Sequence, residues 1–177
     1  MNSAKHRNNK GSFIAETPVA LWLLLFFLTI PFLDMATVLL RYTFFVMAAR
    51  DGVHEAARSK TFATNSSASQ LSAINTASTQ VNRTAQSFSE ISISRVDTRI
   101  VETDITRQTV TIHTNRLVNP ADTSAYLYEL ETIVTGSINP LLTFNPGFLP
   151  QIPGITTAVP VVVSAREYCE YPQGLNI

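Results

Sequence analysis

Lys10-Gly11-Ser12-Phe13-Ile14-Ala15-Glu16 is the stretch of this chain whose residue types and spacing point most directly to chemistry. A short leader carrying Lys5, His6, Arg7 and Lys10, with no acidic residue, ends in a glycine, and a lone carboxylate follows just ahead of a long apolar run. Hydrolysis of the bond after Gly11 would turn the amide nitrogen of Ser12 into an ammonium group, a partner for Glu16 of the same chain or of a neighbour. An unpaired carboxylate carried to the centre of a bilayer costs about 2.5 kcal/mol or more, so Glu16 at that boundary calls for a partner. In an apolar helical bundle such a pair sets register, because a staggered neighbour leaves one of the two charges alone.

The remaining side chains offer less. His6, His54 and His113 are well separated, no serine sits in a Gly-x-Ser-x-Gly turn, and no glycine loop of the phosphate-binding kind is present. One cysteine and three isolated histidines cannot supply a four-ligand zinc site, and there is no Asp-rich calcium loop. These absences predict a protein that is not an enzyme and carries no cofactor or metal. Cys169 is the single cysteine, so no disulfide forms within the chain. It reads as a small, partly buried thiol, ahead of an intermolecular bridge or a nucleophile. A net charge of zero without a long basic run predicts no nucleic-acid partner.

The element that must position Glu16 is the apolar run behind it. Thr17 to Leu33 holds no charged residue, and Asp34 is the sole interruption before Arg41. As a helix this run spans roughly 25 to 36 Å, enough to bridge a hydrocarbon core of about 30 Å. It is longer than the apolar core of a cleaved secretory signal and lacks a small-x-small site after it, so it reads as a retained, single-pass anchor. The basic leader suits the anionic cytoplasmic leaflet and places the N-terminus on that side, with the rest of the chain beyond the membrane. Asp34 reads as a residue of the outer interface reaching headgroup water, the alternative being a contact to Arg41 of a neighbouring helix or to an assembly platform. Thr17-Pro18 predicts an N-cap and first helical position, which leaves residues 12–16 extended. Past the bilayer, Val46, Ala49, Val53, Ala56 and Ala57 keep helical spacing with charged residues between them, predicting an amphipathic stalk. Pro31 and Gly52 are its weak points, at about 3 and 1 kcal/mol respectively.

With a basic leader, a glycine at residue 11 and Glu16 as fifth residue counted from Ser12, the chain resembles the type IV prepilin class. Within that class Ala48-Ala49-Arg50-Asp51-Gly52-Val53-His54-Glu55-Ala56-Ala57-Arg58 and the closing Val161-Val162-Val163-Ser164-Ala165 look like the TadE-like minor pilins of tight-adherence pilus systems. The resemblance covers residues 1–62 and, more loosely, the final strand. It departs at Thr17, where family members often carry an aromatic residue, and at Pro18. It implies trimming after Gly11 by a prepilin peptidase, assembly through Glu16, and partners among other pilin or pseudopilin subunits, the inner-membrane assembly platform and the lipid bilayer. The alternative is a single-pass envelope protein, neither processed nor filament-forming, that binds a periplasmic partner through its Pro-rich loop.

Three segments follow: a leader over 1–11, a transmembrane and stalk helix over 12–62, and an extracytoplasmic domain over 63–177. The domain is predicted to be α+β, with a helix or two and a three-stranded antiparallel sheet. Leu71, Ile74, Val81, Ala85 and Phe88 predict a helix over 67–87. Ile91, Ile93 and Ile100, then Val110 and Ile112, predict a hairpin turning through 103–107. Asp122 is a candidate N-cap for a second helix through Tyr126, Leu127, Leu130, Ile133 and Val134. Residues 139–160 form a long apolar loop with five prolines, expected to cover one face of the sheet, and Val159 to Tyr168 forms a last strand pairing with the hairpin.

Overall fold

The computed structural model describes residues 10–67, 70–143 and 150–177, with the backbone alone for residues 10–16. Helix α1 (Lys10–Ala57) is one unbroken element of 48 residues, about 72 Å long at 1.5 Å of rise per residue. After it come α2 (Ala73–Gln86), β1 (Ile91–Asp104), β2 (Val110–His113), β3 (Tyr126–Ile138) and β4 (Val159–Tyr168), closed by a 3₁₀ turn over Pro172–Asn176. The strands form an antiparallel sheet in the order β2-β1-β3-β4. The α+β class agrees with the sequence, but the sheet has four strands where three were expected.

The fourth strand is the segment read as a second helix. In β3, Tyr128, Leu130, Thr132, Val134, Gly136 and Ile138 alternate onto the core face, a period of two that also runs through the residues spaced for a helix. Asp122 does not cap a helix: its Oδ1 accepts from Ser124 N at 3.0 Å and Ser124 Oγ at 2.6 Å, forming a turn. Those bonds hold the Asp122 carboxyl below the usual aspartate range. β3 then takes the centre of the sheet, so β4 pairs with it and not with the hairpin.

Helix α1 starts at Lys10, so residues 12–16 are helical and not extended, and Pro18 and Pro31 both lie inside it. Each proline removes one backbone bond, but its fixed φ is already helical, and the bonds on either side carry the helix through in an apolar run with few other partners. Helix α2 begins later than its apolar spacing suggests. Ser72 caps it, accepting from Asn75 N, and the amide of Ser72 donates to Asn65 Oδ1 at 2.8 Å. Its buried stripe is Ala73, Ala77, Val81 and Ala85.

The distal half of α1 is packed into the domain. Phe45, Ala48 and Ala49 are buried with Val81, Val134, Ile138, Val161 and Val163. One turn further, Val53 and Ala56 join Phe62, Ala77, Ile100 and Leu130. Small residues let the layers close. A Cβ on Gly136 would come within 3.1 Å of the Phe45 ring, and one on Gly52 would lie 2.5 Å from Val81 Cγ2. The weak point of the helix is therefore where α2 lies against it.

On the opposite face of the sheet, β1, β3 and β4 are tied by Glu131. Arg99 and Arg166 stand in register on either side, their Nε atoms 2.6 and 3.2 Å from its carboxylate, whose side chain is only 4% exposed. Burial pushes the Glu131 carboxyl up, but the two guanidiniums outweigh it and hold it below the usual glutamate range.

Two outcomes are expected from urea unfolding of the detergent-solubilised chain. Gly52→Ala should destabilise by about 1–3 kcal/mol despite its better helix propensity, and Val81→Ala in the same chain should recover part of that loss. Glu131→Ala should lose about 2 kcal/mol at pH 7, less than for a fully buried triad because both arginines reach water. Folding lowers this pKa, so the contribution is complete above the ordinary glutamate value of about 4.3 and fades as pH falls through the lower folded value. The gap between wild type and Glu131→Ala should therefore narrow in acid.

Candidate assembly and membrane surface

The proximal half of α1 touches little of the domain. Trp22 is 66% exposed and Phe27 76%, and Leu21, Leu23, Leu24, Leu28, Phe32, Leu33, Leu39 and Leu40 are all more than half exposed. Folded monomers rarely expose a contiguous apolar patch beyond a few hundred Å², so this surface calls for cover. Among the described residues α1 is the one helix long and apolar enough to cross a membrane.

At its start the helix backbone includes Lys10, Gly11, Ser12 and Glu16, which puts Ser12 and Glu16 one helical turn apart. The two positions singled out by the sequence therefore have their backbones on one strip of helix. Lys5 and Arg7 lie outside the described residues.

Further along, Asp34 does not reach headgroup water. It is 6% exposed, and its Oδ1 accepts from the backbone amides of Leu141 at 2.5 Å and Leu142 at 3.4 Å. Seven residues on, Arg41 Nη1 donates to Asn139 O at 2.5 Å. Acid and base, two turns apart on one helix, thus hold the chain leaving β3 with matching polarity: the cation takes its carbonyl, the anion its amides. Between the two grips lies Pro140, which has no amide hydrogen to place. Asn139 is fixed from its other side, its N donating to Glu90 O and its Nδ2 to Glu90 Oε2, both at 3.0 Å. The described part of the Pro-rich loop therefore lies along α1, and not over the sheet face as its composition suggested.

These two charged residues were visible in the sequence, but their partners were not. Asp34 and Leu141 are 107 positions apart, and a backbone amide has no residue type to search for. The available signal was the i, i+7 spacing of an acid and a base at the end of an apolar run.

Other polar clusters are smaller. His113 Nε2 and Glu102 Oε2 meet at 2.6 Å across the β1-β2 pair. Cys169 is partly buried, and burial pushes its thiol up, away from the thiolate. Among the described residues no group of three or more histidine, cysteine, aspartate or glutamate side chains is placed to hold a metal ion. No protein-family model, curated protein or solved structure gives a significant match to the chain.

Asp34→Ala should leave the Leu141 and Leu142 amides without an acceptor, at about 1–3 kcal/mol, whereas Asp34→Asn keeps an acceptor oxygen. Hydrogen exchange at the Leu141 amide of the solubilised chain should accelerate strongly in the alanine variant and modestly in the asparagine one.

Proposed function

We propose that this chain is a minor pilin or pseudopilin of the TadE-like kind. It is made as a precursor and trimmed after Gly11 by a prepilin peptidase. α1 then holds it in the bacterial inner membrane, leader side in the cytoplasm and domain outside, for assembly of an adhesive or secretion-related pilus. In this reading it does not work as an enzyme. The observation that supports it best is the division of one continuous helix into a packed distal half and a bare apolar proximal half headed by Ser12 and Glu16.

Such a helix presents one surface to two successive environments. In the bilayer its proximal half is covered by acyl chains, and in a filament by the same half of neighbouring subunits. Passage between the two is favourable only if the charges at its head are met in the new setting. The Ser12 ammonium and the Glu16 carboxylate, on the same or adjacent subunits, meet that condition, and a neighbour out of step leaves one of them unpaired in apolar surroundings. Lys5, Arg7 and Lys10 keep the precursor head at the anionic leaflet until the peptidase removes it.

Protein recovered from membranes of its own host should begin at Ser12 by N-terminal sequencing; an intact leader there would overturn the reading. Glu16→Ala should leave membrane insertion and cleavage in place and abolish recovery of the protein in sheared filaments. Unchanged recovery would remove Glu16 from the mechanism.

A further inference from the structure

We infer that the chain enters the membrane a second time: the loop following β3, through residues 140–143 and 152–155, lies in the outer half of the bilayer beside α1, where phospholipid acyl chains fill the groove between them. The inference rests on the membrane-anchor part of the reading above and is independent of cleavage after Gly11.

Depth is the first argument. A groove of about 450 Å³ runs between Leu23, Phe26, Phe27 and Ile30 of α1 and Leu142 and Ile155 of the loop, with Asp34 at its edge. Ile30 is eleven positions before Arg41, or roughly 16 Å along the axis, about half the thickness of a hydrocarbon core. With Arg41 at the headgroups, whatever lies beside Phe27 and Ile30 lies among acyl chains.

Composition and backbone bonding agree with that depth. From Thr132 to Ala165 the chain has no charged residue, and Leu141, Leu142, Ile152 and Ile155 are all 39% or more exposed. In hydrocarbon a backbone polar group without a partner costs several kcal/mol, so irregular chain needs its amides and carbonyls met from within. Asp34 takes the amides of Leu141 and Leu142, and Arg41 the carbonyl of Asn139. The Ile152 amide donates to Thr156 Oγ1 at 2.7 Å, the amides of Ile155 and Thr156 to Ile152 O, and that of Gly154 to Thr157 O. Pro140, Pro150 and Pro153 have no amide hydrogen. Bonding of this kind is what acyl chains require of irregular chain. Asp34 thereby gains a purpose, since its charge is spent on the amides that follow the loop's entry.

The test uses the full chain in phosphatidylcholine vesicles, with or without bromine on the acyl chains, and iodide in the outer solution. Trp22 is the only tryptophan, so Trp22→Phe carrying Leu142→Trp, and separately Ile155→Trp, gives two single-indole reporters. A third, Val118→Trp, marks the watery side of the domain, since Val118 is 96% exposed. Indoles at 142 and 155 should emit to the blue and lose intensity with brominated lipid as strongly as native Trp22, while iodide dims only the indole at 118. Quenching by iodide at 142 and 155 would overturn the inference, and so would quenching by neither agent, which would mean cover by protein. If Trp22 itself is not quenched by brominated lipid, the anchor reading fails with it. If Trp22 is quenched and positions 142 and 155 are not, only the second insertion fails.

Discussion

Close approach of α1 to both of its neighbours is the constraint on which the rest of the fold depends. Phe45 sits over Gly136 of the central strand, where an added carbon would lie 3.1 Å from its ring and collide with Ser92 O of β1, and Gly52 lies against Val81 of α2, where an added carbon would come within 2.5 Å of Cγ2. Between those two points Ala48 and Ala49 fill the space with little volume. The domain is thus built around the distal half of the helix, which supplies the floor of both core clusters. Packing density of this kind tolerates little change, because an interior as tight as an organic crystal has nowhere to move displaced atoms.

From that arrangement comes the unequal character of the helix. Its distal half obeys the rules of a water-soluble core, with small apolar residues inward and Arg50 and Asp51 outward. Among the described residues its proximal half buries none of its leucine and phenylalanine side chains and meets the domain across the groove beside Leu142 and Ile155. Two polar grips mark the change between these regimes. Asp34 and Arg41 do not pair with each other across their two turns of helix; they divide between them the amides and carbonyl of one passing segment. A carboxylate in an apolar run is tolerated when backbone donors meet it, and those donors also need it.

Much of this could be read from residue types, and what escaped has identifiable causes. The long helix, the hairpin and the bounds of β4 follow from periodicity that survives folding almost unchanged. The start of α1 is hidden in the sequence because Thr17-Pro18 is a strong local signal that a long apolar helix overrides. β3 is ambiguous in the sequence because Leu127, Leu130, Ile133 and Val134 carry a helical period while Tyr128, Leu130, Thr132 and Val134 carry a strand period through the same residues. Position at the centre of a sheet decided between them, and that position is a property of the whole chain. Near the head of α1, Ser12 and Glu16 stand out in the sequence by spacing alone. The Asp34 contact does not, because its partners are amides, which every residue but proline possesses.

The unbroken passage of α1 from its bare half into the core also has a mechanical side. There is no linker between the two halves to stretch or swivel, so tension applied along the proximal helix arrives at Phe45 and Gly52 at once. Withdrawing the helix would mean sliding its whole interlocked flank out of the sheet and α2 together, in place of peeling one contact after another. A domain joined to its helix in this manner transmits load as a socket does from a stiff rod set in it, and its orientation about the rod axis is fixed along with it.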